Sequence, residues 1–353
     1  MSKTWMIRGE GGRLYDIFRD RSIAAIGWSE IAGEVSAGMT KSEIRTLYAH
    51  KRPELKRGTV IAGAAQVWRF LNEIEIGDEV VTYSPDNRTY LLGIVTSDAT
   101  YAEASAADGV ALVRKVDWRP IEVERDHLPT KARNSLGSTL TVFVVPEQAA
   151  ASIRAIAESS GIPAQTQPVV KGELEEEEED EDLEGAAGAG SPTTLLTDPL
   201  LGIEVTALER IKDVVAKLDW EEMQDLVAGI LRAMGYKTLV SPPGPDRGKD
   251  IVASPDGFGF EHPRIVVEVK HRNGQMDSKA IRSFLGGRHQ DDRGLYVSTG
   301  GFSRDAFYEA DRAAVPLTLW TMDTLVRALI EHYERTDAET KRLVPLKRMY
   351  VPA

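Results

Sequence analysis

The stretch PDRGKDIVASPDGFGFEHPRIVVEVKHR, Pro245 to Arg272, carries three side chains able to do chemistry together: Asp250, Glu268 and Lys270. In RIVVEVK successive side chains point to opposite faces of a strand. Ile265, Val267 and Val269 share one wholly apolar face; Val266, Glu268 and Lys270 share the other. Asp250 opens the preceding strand, after the turn-rich loop PPGPDRGK. If the two strands pair as a hairpin, Asp250 lies beside Glu268. Two carboxylates at one point repel and raise each other's pKa. A divalent cation removes that cost, and hard oxygen ligands with room left for water favour Mg2+ or Mn2+. A lysine in reach of the same spot orients or deprotonates a water and stabilises negative charge at a phosphate. This is the set that phosphodiester hydrolysis needs. The plain alternative is a structural ion pair between Lys270 and either acid.

The elements that must position these residues follow an α/β pattern. One long helical region is expected from about Val205 to Met234, where Trp220, Met223, Val227, Ile230, Leu231 and Met234 repeat at helical spacing. Gly235 ends it as a C′ residue. Strands are expected at YKTLVS, DIVAS, RIVVEVK, GLYVST and LTLWTM. Helices are expected from about Ser278 to Leu285, at SRDAFYEADRAA and at DTLVRALIEHYER. The result is an α/β sandwich around a mixed sheet.

With these elements in place, D…ExK resembles the PD-(D/E)xK nuclease family. The ordered set MQDLVAGILRAMGY, RGKDIVAS, VVEVKHR, IRSFLGG, GLYVSTGGFSRDAFYEA and LTLWTMDTLVRAL, from roughly Leu218 to Leu329, resembles the Mrr-type restriction endonuclease domain. The resemblance implies a metal-dependent DNA endonuclease. Asp250 and Glu268 would be metal ligands, joined by the backbone carbonyl of Val269, with Lys270 as the catalytic lysine. One position departs: where the family carries a further Glu ligand on the first helix, this chain has Met223-Gln224. Gln is a neutral, weaker ligand, and Glu221, Glu222 or Asp225 could substitute only from a nearby helical face. His271 and Arg272 are candidates to line a DNA path. Lys249 and Arg247 are candidate phosphate contacts, as is Thr299, which with Ser298 sits at a strand end beside Gly300-Gly301. Ordinary surface charge and turn chemistry account for these residues equally well. No Walker-type glycine-rich loop follows any strand, so no nucleotide cofactor is expected.

The net charge of −12 is concentrated: Glu173–Glu184 holds ten acids and no base, and the remainder carries −2. The run KGELEEEEEDEDLEGAAGAGSP is like-charged, then Gly/Ala-rich, and cannot bury a core. It divides the chain into a first domain at 1–162, a disordered linker at 163–200 and a nuclease domain at 201–353. The linker reads first as a solvated tether, and second as an acidic mimic competing for a DNA-binding surface. Before it, EIGDEVVTYSPDNRTYLLGIVTSDATY reads as two strands about a turn, and Ser138 to Val145 as another strand. TKSEIRTLYAHKRP reads as a helix capped by Thr40 with Glu43 as its box partner; EQAAASIRAIAES closes the domain. The pattern GD-x-V…Y…Y-x-x-G resembles the barrel strands of the PUA-like group, including EVE modules, which implies a pocket for a flipped or modified base. Trp28, Tyr83, Tyr90 and Trp118 are its candidates, each equally a core residue. Arg88, Arg119 and Arg125 are candidate phosphate grips.

The fold expected is thus α/β (α+β): a restriction-endonuclease-like mixed sheet flanked by helices, plus a PUA-like β-barrel. The function expected is a modification-dependent, type IV-like DNA endonuclease using Mg2+ or Mn2+. It would act on double-stranded DNA as a homodimer, in defence against foreign DNA. A modification-independent repair or recombination nuclease is one rival; a nucleic-acid reader with a decayed site is the other. The chain has no cysteine and no run of 18 apolar residues, so disulfides, thiolate chemistry and membrane spans are excluded and a cytoplasmic location is expected.

Overall fold

The computed structural model describes residues 3–138, 140–159, 199–241, 250–258, 260–271, 274–286, 288–289 and 291–349. The acidic run, the rest of the 163–200 linker up to Thr197-Asp198, and Arg247, Lys249 and Arg272 lie outside them. Among the described residues, no helix is long and apolar enough to cross a membrane.

The first domain holds β1 (Thr4–Ile7), β2 (Ile23–Ile26), β3 (Glu79–Ser84), β4 (Thr89–Val95), β5 (Thr100–Tyr101), β6 (Leu112–Glu124) and β7 (Val142–Val144). They form one sheet in the order β2-β6-β4-β3-β1-β7, with β5 on β6. The barrel expected from the sequence takes the form of this single sheet, whose path ends at β2 and β7. β3 and β4 pair antiparallel from Glu79↔Ile94 to Ser84↔Thr89, about the Pro85–Arg88 turn. Thr40 and Glu43 form the full capping box expected of helix Lys41–Lys51, and helix Glu147–Ser159 closes the domain. The strand expected over Ser138–Val145 is confined to β7. The Gln66 Oε1 accepts from the amides of Thr141 and Val142 at 2.6 and 3.2 Å, so a side chain serves where a ladder would continue.

The second domain adds β8 (Lys237–Val240), β9 (Ile251–Ser254), β10 (Arg264–Lys270), β11 (Asp292–Ser298) and β12 (Leu317–Trp320). Their order is β12-β11-β10-β9-β8. β9 is antiparallel to β8 and β10, and β10, β11 and β12 run parallel. One face of this mixed sheet buries Val267, Val269, Leu295 and Val297 under helices Pro199–Val215, Trp220–Ala233 and Met322–His332. The other meets helices Ser278–Leu285 and Arg304–Asp311 through Phe284, Tyr296 and Ala306. This is the expected sandwich.

The single long helix expected from Val205 to Met234 is two helices, Pro199–Val215 and Trp220–Ala233. Asp219 is extended between them, and its side chain accepts from the Glu222 amide in a capping box. The Leu218 carbonyl accepts from His271 Nε2 at 2.7 Å. A helical apolar period continues through such a break without showing it. Gly235 does sit past the second helix at φ 104°, as a C′ residue requires.

Helix Trp220–Ala233 is also fixed by close approach. A Cβ on Gly229 would lie 1.9 Å from Thr340 Oγ1, and Thr340 is buried. Gly229→Ala gains helix propensity of about 1 kcal/mol, yet the overpacking should cost about 1–3 kcal/mol. The net expectation is a lower urea midpoint; an unchanged or higher midpoint would show that the contact relaxes freely.

Candidate active site

β9 and β10 pair in the register Ile251↔Val267, Val252↔Val266 and Ala253↔Ile265. Asp250 immediately precedes β9, at the Glu268 end of that register, and bonds to the residues on either side of Glu268 in β10. The antiparallel pairing of β9 with β10 that the sequence required is present. Asp250 is 4% exposed; its amide donates to the Val267 carbonyl at 2.9 Å, and its Oδ2 accepts from the Val269 amide at 2.6 Å. Two residues along from Glu268 on the same face, Lys270 places its Nζ 2.8 Å from Glu268 Oε1. The Glu268 side chain is 12% exposed and that of Lys270 37%, so the lysine stands at the rim. Level with it on β11 is Ser298, whose buried Oγ has no hydrogen-bond partner among the described residues.

The donor chemistry fits a hard cation. Among the described residues no three His, Cys, Asp or Glu converge on one point, but Mg2+ is commonly held by one or two carboxylates with water and substrate phosphate completing the shell. Asp250 and Glu268 supply that number. The Lys270 carbonyl accepts from the Thr299 amide at 3.1 Å; carbonyls alternate along a strand, so that of Val269 turns to the opposite edge, where Asp250 lies. Gln224 is buried on helix Trp220–Ala233, which packs on β9, and its Nε2 has no partner among the described residues. Glu221, one turn earlier, is exposed. Of the DNA-path candidates, His271 is engaged at both ring nitrogens, with the Leu218 carbonyl at 2.7 Å and Thr299 Oγ1 at 3.2 Å. A carbonyl only accepts, so Nε2 carries a proton. Thr299 is thereby tied to the end of β10, and Lys249 and Arg272 lie outside the described residues.

The four aromatics do not come together. Tyr83 and Tyr90 pack against each other with their rings tilted by 32° and centroids 4.7 Å apart, within one core cluster. Trp28 and Trp118 pack against another. Trp118 Nε1 donates to the carbonyls of Phe18 and Ile23 at 2.9 and 3.2 Å. Trp28 lines a cavity of about 540 Å³ with Glu10, Arg13, Ser29 and Asp108, and none of the other three aromatics lines it.

Instead, Tyr83 and Tyr90 sit at a charged seam between the domains that sequence reasoning missed. Helix Pro199–Val215 turns Leu208, Ile211 and Val215 to the second core and Glu209, Lys212 and Asp213 to the seam. Tyr83 Oη donates to Glu209 Oε2 at 3.0 Å. Arg88 reaches Asp213 Oδ1 at 2.6 Å and Asp126 Oδ1 at 2.5 Å. Arg125 donates to Asp213 at 3.2 Å and to Tyr90 Oη at 2.6 Å. Lys212 pairs with Glu209 at 2.9 Å and Asp323 at 2.6 Å. Arg88 and Arg125 are therefore buried structural cations rather than the phosphate grips expected, and Arg119 pairs with Glu79 at 3.5 Å. Burial pushes both seam carboxyls up, but Lys212 and Arg125 outweigh it at Glu209, and Arg125 and Arg88 at Asp213, so both lie below the usual range. The signal was present as the 3.6-residue spacing of charge along 209–213, but no sequence rule names the partner.

Residues 215–329 match the Restriction endonuclease family model, so the second half of the chain carries a restriction-endonuclease domain. Residues 5–143 match a domain of unknown function, DUF8426. Over 99 residues, 27% of this chain, the sequence is 28% identical to the uncharacterized protein y4cE of Sinorhizobium fredii; the match spans 25% of that protein's length. Among solved structures, the MspJI restriction endonuclease in complex with a 27-mer oligonucleotide is similar at 12% identity, over 96% of this chain and 70% of that one, with a TM-score of 0.30. The DNA modification-dependent restriction endonuclease AspBHI is similar at 15% identity, over 82% and 72%, with a TM-score of 0.30.

Two outcomes are expected from this geometry. Asp250→Ala strips the buried Val269 amide of its acceptor and should lower unfolding stability by about 1–3 kcal/mol; denaturant melts of the two proteins read this directly. The seam carboxyls, depressed in the folded state, stabilise it fully above the ordinary carboxylate pKa of about 4 and lose that contribution as pH falls through their lower folded values. Unfolding stability should thus drop below about pH 4, with a shallower drop in Asp213→Asn; identical slopes would remove Asp213 from the acid response.

Proposed function

We propose that this chain is a modification-dependent, type IV-like DNA restriction endonuclease. It would hydrolyse phosphodiester bonds of double-stranded foreign DNA with a divalent cation, Mg2+ or Mn2+. The observation that carries this reading is Asp250, at the start of β9, bonded to Val267 and Val269 on either side of Glu268 in β10, with the Lys270 ammonium 2.8 Å from Glu268, inside the span that matches restriction endonucleases.

The cation, when bound, supplies charge neutralisation at the phosphate and lowers the pKa of an attacking water. Every other part of the chemistry falls to the chain. Asp250 and Glu268 would hold the cation, and the carbonyl of Val269 turns toward the β9 edge. The Val269 amide keeps Asp250 oriented. Lys270 stands at the rim, where its ammonium can exchange Glu268 for a phosphate oxygen and stabilise the charge that builds there. Apolar packing beneath Val267 and Val269 holds β10 rigid. We take the first domain as the reader of a modified base, with the Trp28 cavity as its site. Cutting both strands needs two such sites, which makes a homodimer the working assembly.

The neutral Gln224 in place of an acid favours one alternative, a DNA reader that no longer cuts. Incubation of matched plasmids (unmodified, methylated, hydroxymethylated) with Mg2+ or Mn2+ decides. The expected result is cleavage of one modified plasmid, reduced about 10²–10³-fold in Lys270→Ala; that rim residue leaves the buried contacts of Asp250 untouched. Equal cleavage of all plasmids would point to a repair or recombination nuclease. Binding without cleavage under both metals would leave the reader.

A further inference from the structure

The Pro85–Arg88 turn of the first domain reaches into the second. A Cβ on Gly301 would lie 2.1 Å from Asn87 Oδ1 and 3.1 Å from the Asp86 carbonyl, so the Asn87 side chain and the Asp86 backbone sit directly against that glycine. Gly301 also holds φ 76°, where a side chain is strained. Asp86 Oδ1 accepts from Thr321 Oγ1 at 3.3 Å, and Thr321 caps helix Met322–His332. Arg88, itself at φ 55°, anchors the turn from behind through Asp126 within its own domain and Asp213 across the seam.

What the turn presses on is the loop next to the candidate site. The Gly301 amide donates to the Ser298 carbonyl at 3.3 Å, and the Gly301 carbonyl accepts from Met276 at 3.0 Å. Thr299 donates its amide to the Lys270 carbonyl at 3.1 Å and meets His271 Nδ1 with its hydroxyl at 3.2 Å. Ser298 is the register partner of Lys270. An unbroken series of contacts therefore runs from Asn87 through Gly301 and Ser298-Thr299 to the residue that carries the ammonium.

We infer that the Pro85–Arg88 turn is a positioning element for the nuclease half, with Asn87 bracing the Ser298–Gly301 loop and, through it, the Lys270 end of β10. Its kinetic consequence rests on the nuclease reading; the bracing itself does not. The turn acts through Thr299 and the β10 backbone. The first domain then has two jobs, and its attachment to the second is part of the active geometry.

The test uses the full chain and two variants. Asn87→Gly removes the side chain beside Gly301, and Asp213→Asn weakens the anchor from the second domain while leaving the Arg88–Asp126 pair intact. Amide hydrogen exchange by mass spectrometry is read in peptides covering Met276 and Thr299–Gly301, with β3 as an internal reference. Exchange at the loop should speed up about tenfold in both variants while β3 stays protected. In the cleavage assay kcat should fall about tenfold or more at unchanged KM, since misplacement of a reacting group acts on the chemical step. Unchanged loop exchange in both variants would overturn the inference. So would exchange that rises equally throughout the chain, which marks general destabilisation, or faster loop exchange with unaltered kcat, which marks a contact without positioning. If the unmutated chain cuts no DNA, the nuclease reading falls, and the exchange result alone decides the brace.

Discussion

Asp250 is a buried carboxylate that accepts a short bond from the Val269 amide, and that bond depends on the register of β9 against β10. Side chains alternate with a period of two, so a slip by one residue would send Glu268 and Lys270 into the apolar layer beneath the sheet and bring Val267 and Val269 to the site. The apolar face blocks that slip: Val267 and Val269 are fully buried under three helices. The register that satisfies the core is the one that turns Glu268 and Lys270 to the other face and leaves Asp250 bonded to the Val269 amide between them. Core packing and site geometry are in this sense a single constraint.

A second constraint joins the domains. Burying Arg88, Arg125, Lys212 and Glu209 carries a desolvation penalty of several kcal/mol per ion, offset only when each finds close, well-directed partners. Apolar surfaces tolerate sliding; a buried charge network does not, because a displaced arginine leaves an unpaired carboxylate. The seam therefore trades stability for a defined docking, and helix Pro199–Val215 serves both sides, giving apolar residues to one core and charged ones to the other domain. Tyr83 and Tyr90 are consumed in this arrangement: their hydroxyls complete the seam at Glu209 and Arg125. Trp28, by contrast, lines a cavity with Glu10, Arg13 and Asp108.

The two constraints meet at the Ser298–Gly301 loop. It hangs from the end of β10 on one side and carries the Pro85–Arg88 turn on the other. A glycine at Gly301 answers both demands, a left-handed backbone and a neighbouring side chain within contact of where a Cβ would be.

How much of this was legible beforehand depends on the range of the physics involved. The alternation in RIVVEVK assigned Glu268 and Lys270 to one face, because the pleat is a property of the local backbone. The capping box at Thr40, the C′ glycine at Gly235 and the hairpin about Pro85–Arg88 were equally readable, since each is satisfied within a few residues. The break at Asp219 was not: apolar spacing continues across it, and the Leu218 carbonyl is taken by His271, 53 residues away. Nor were the burial of Arg88 and Arg125 and the separation of Trp28 from Tyr83. A sequence fixes which residues are charged, aromatic or apolar and which face of their own element they occupy. Which arginine meets solvent and which a buried carboxylate depends on contacts made between elements far apart in the chain, and only the tertiary structure supplies those.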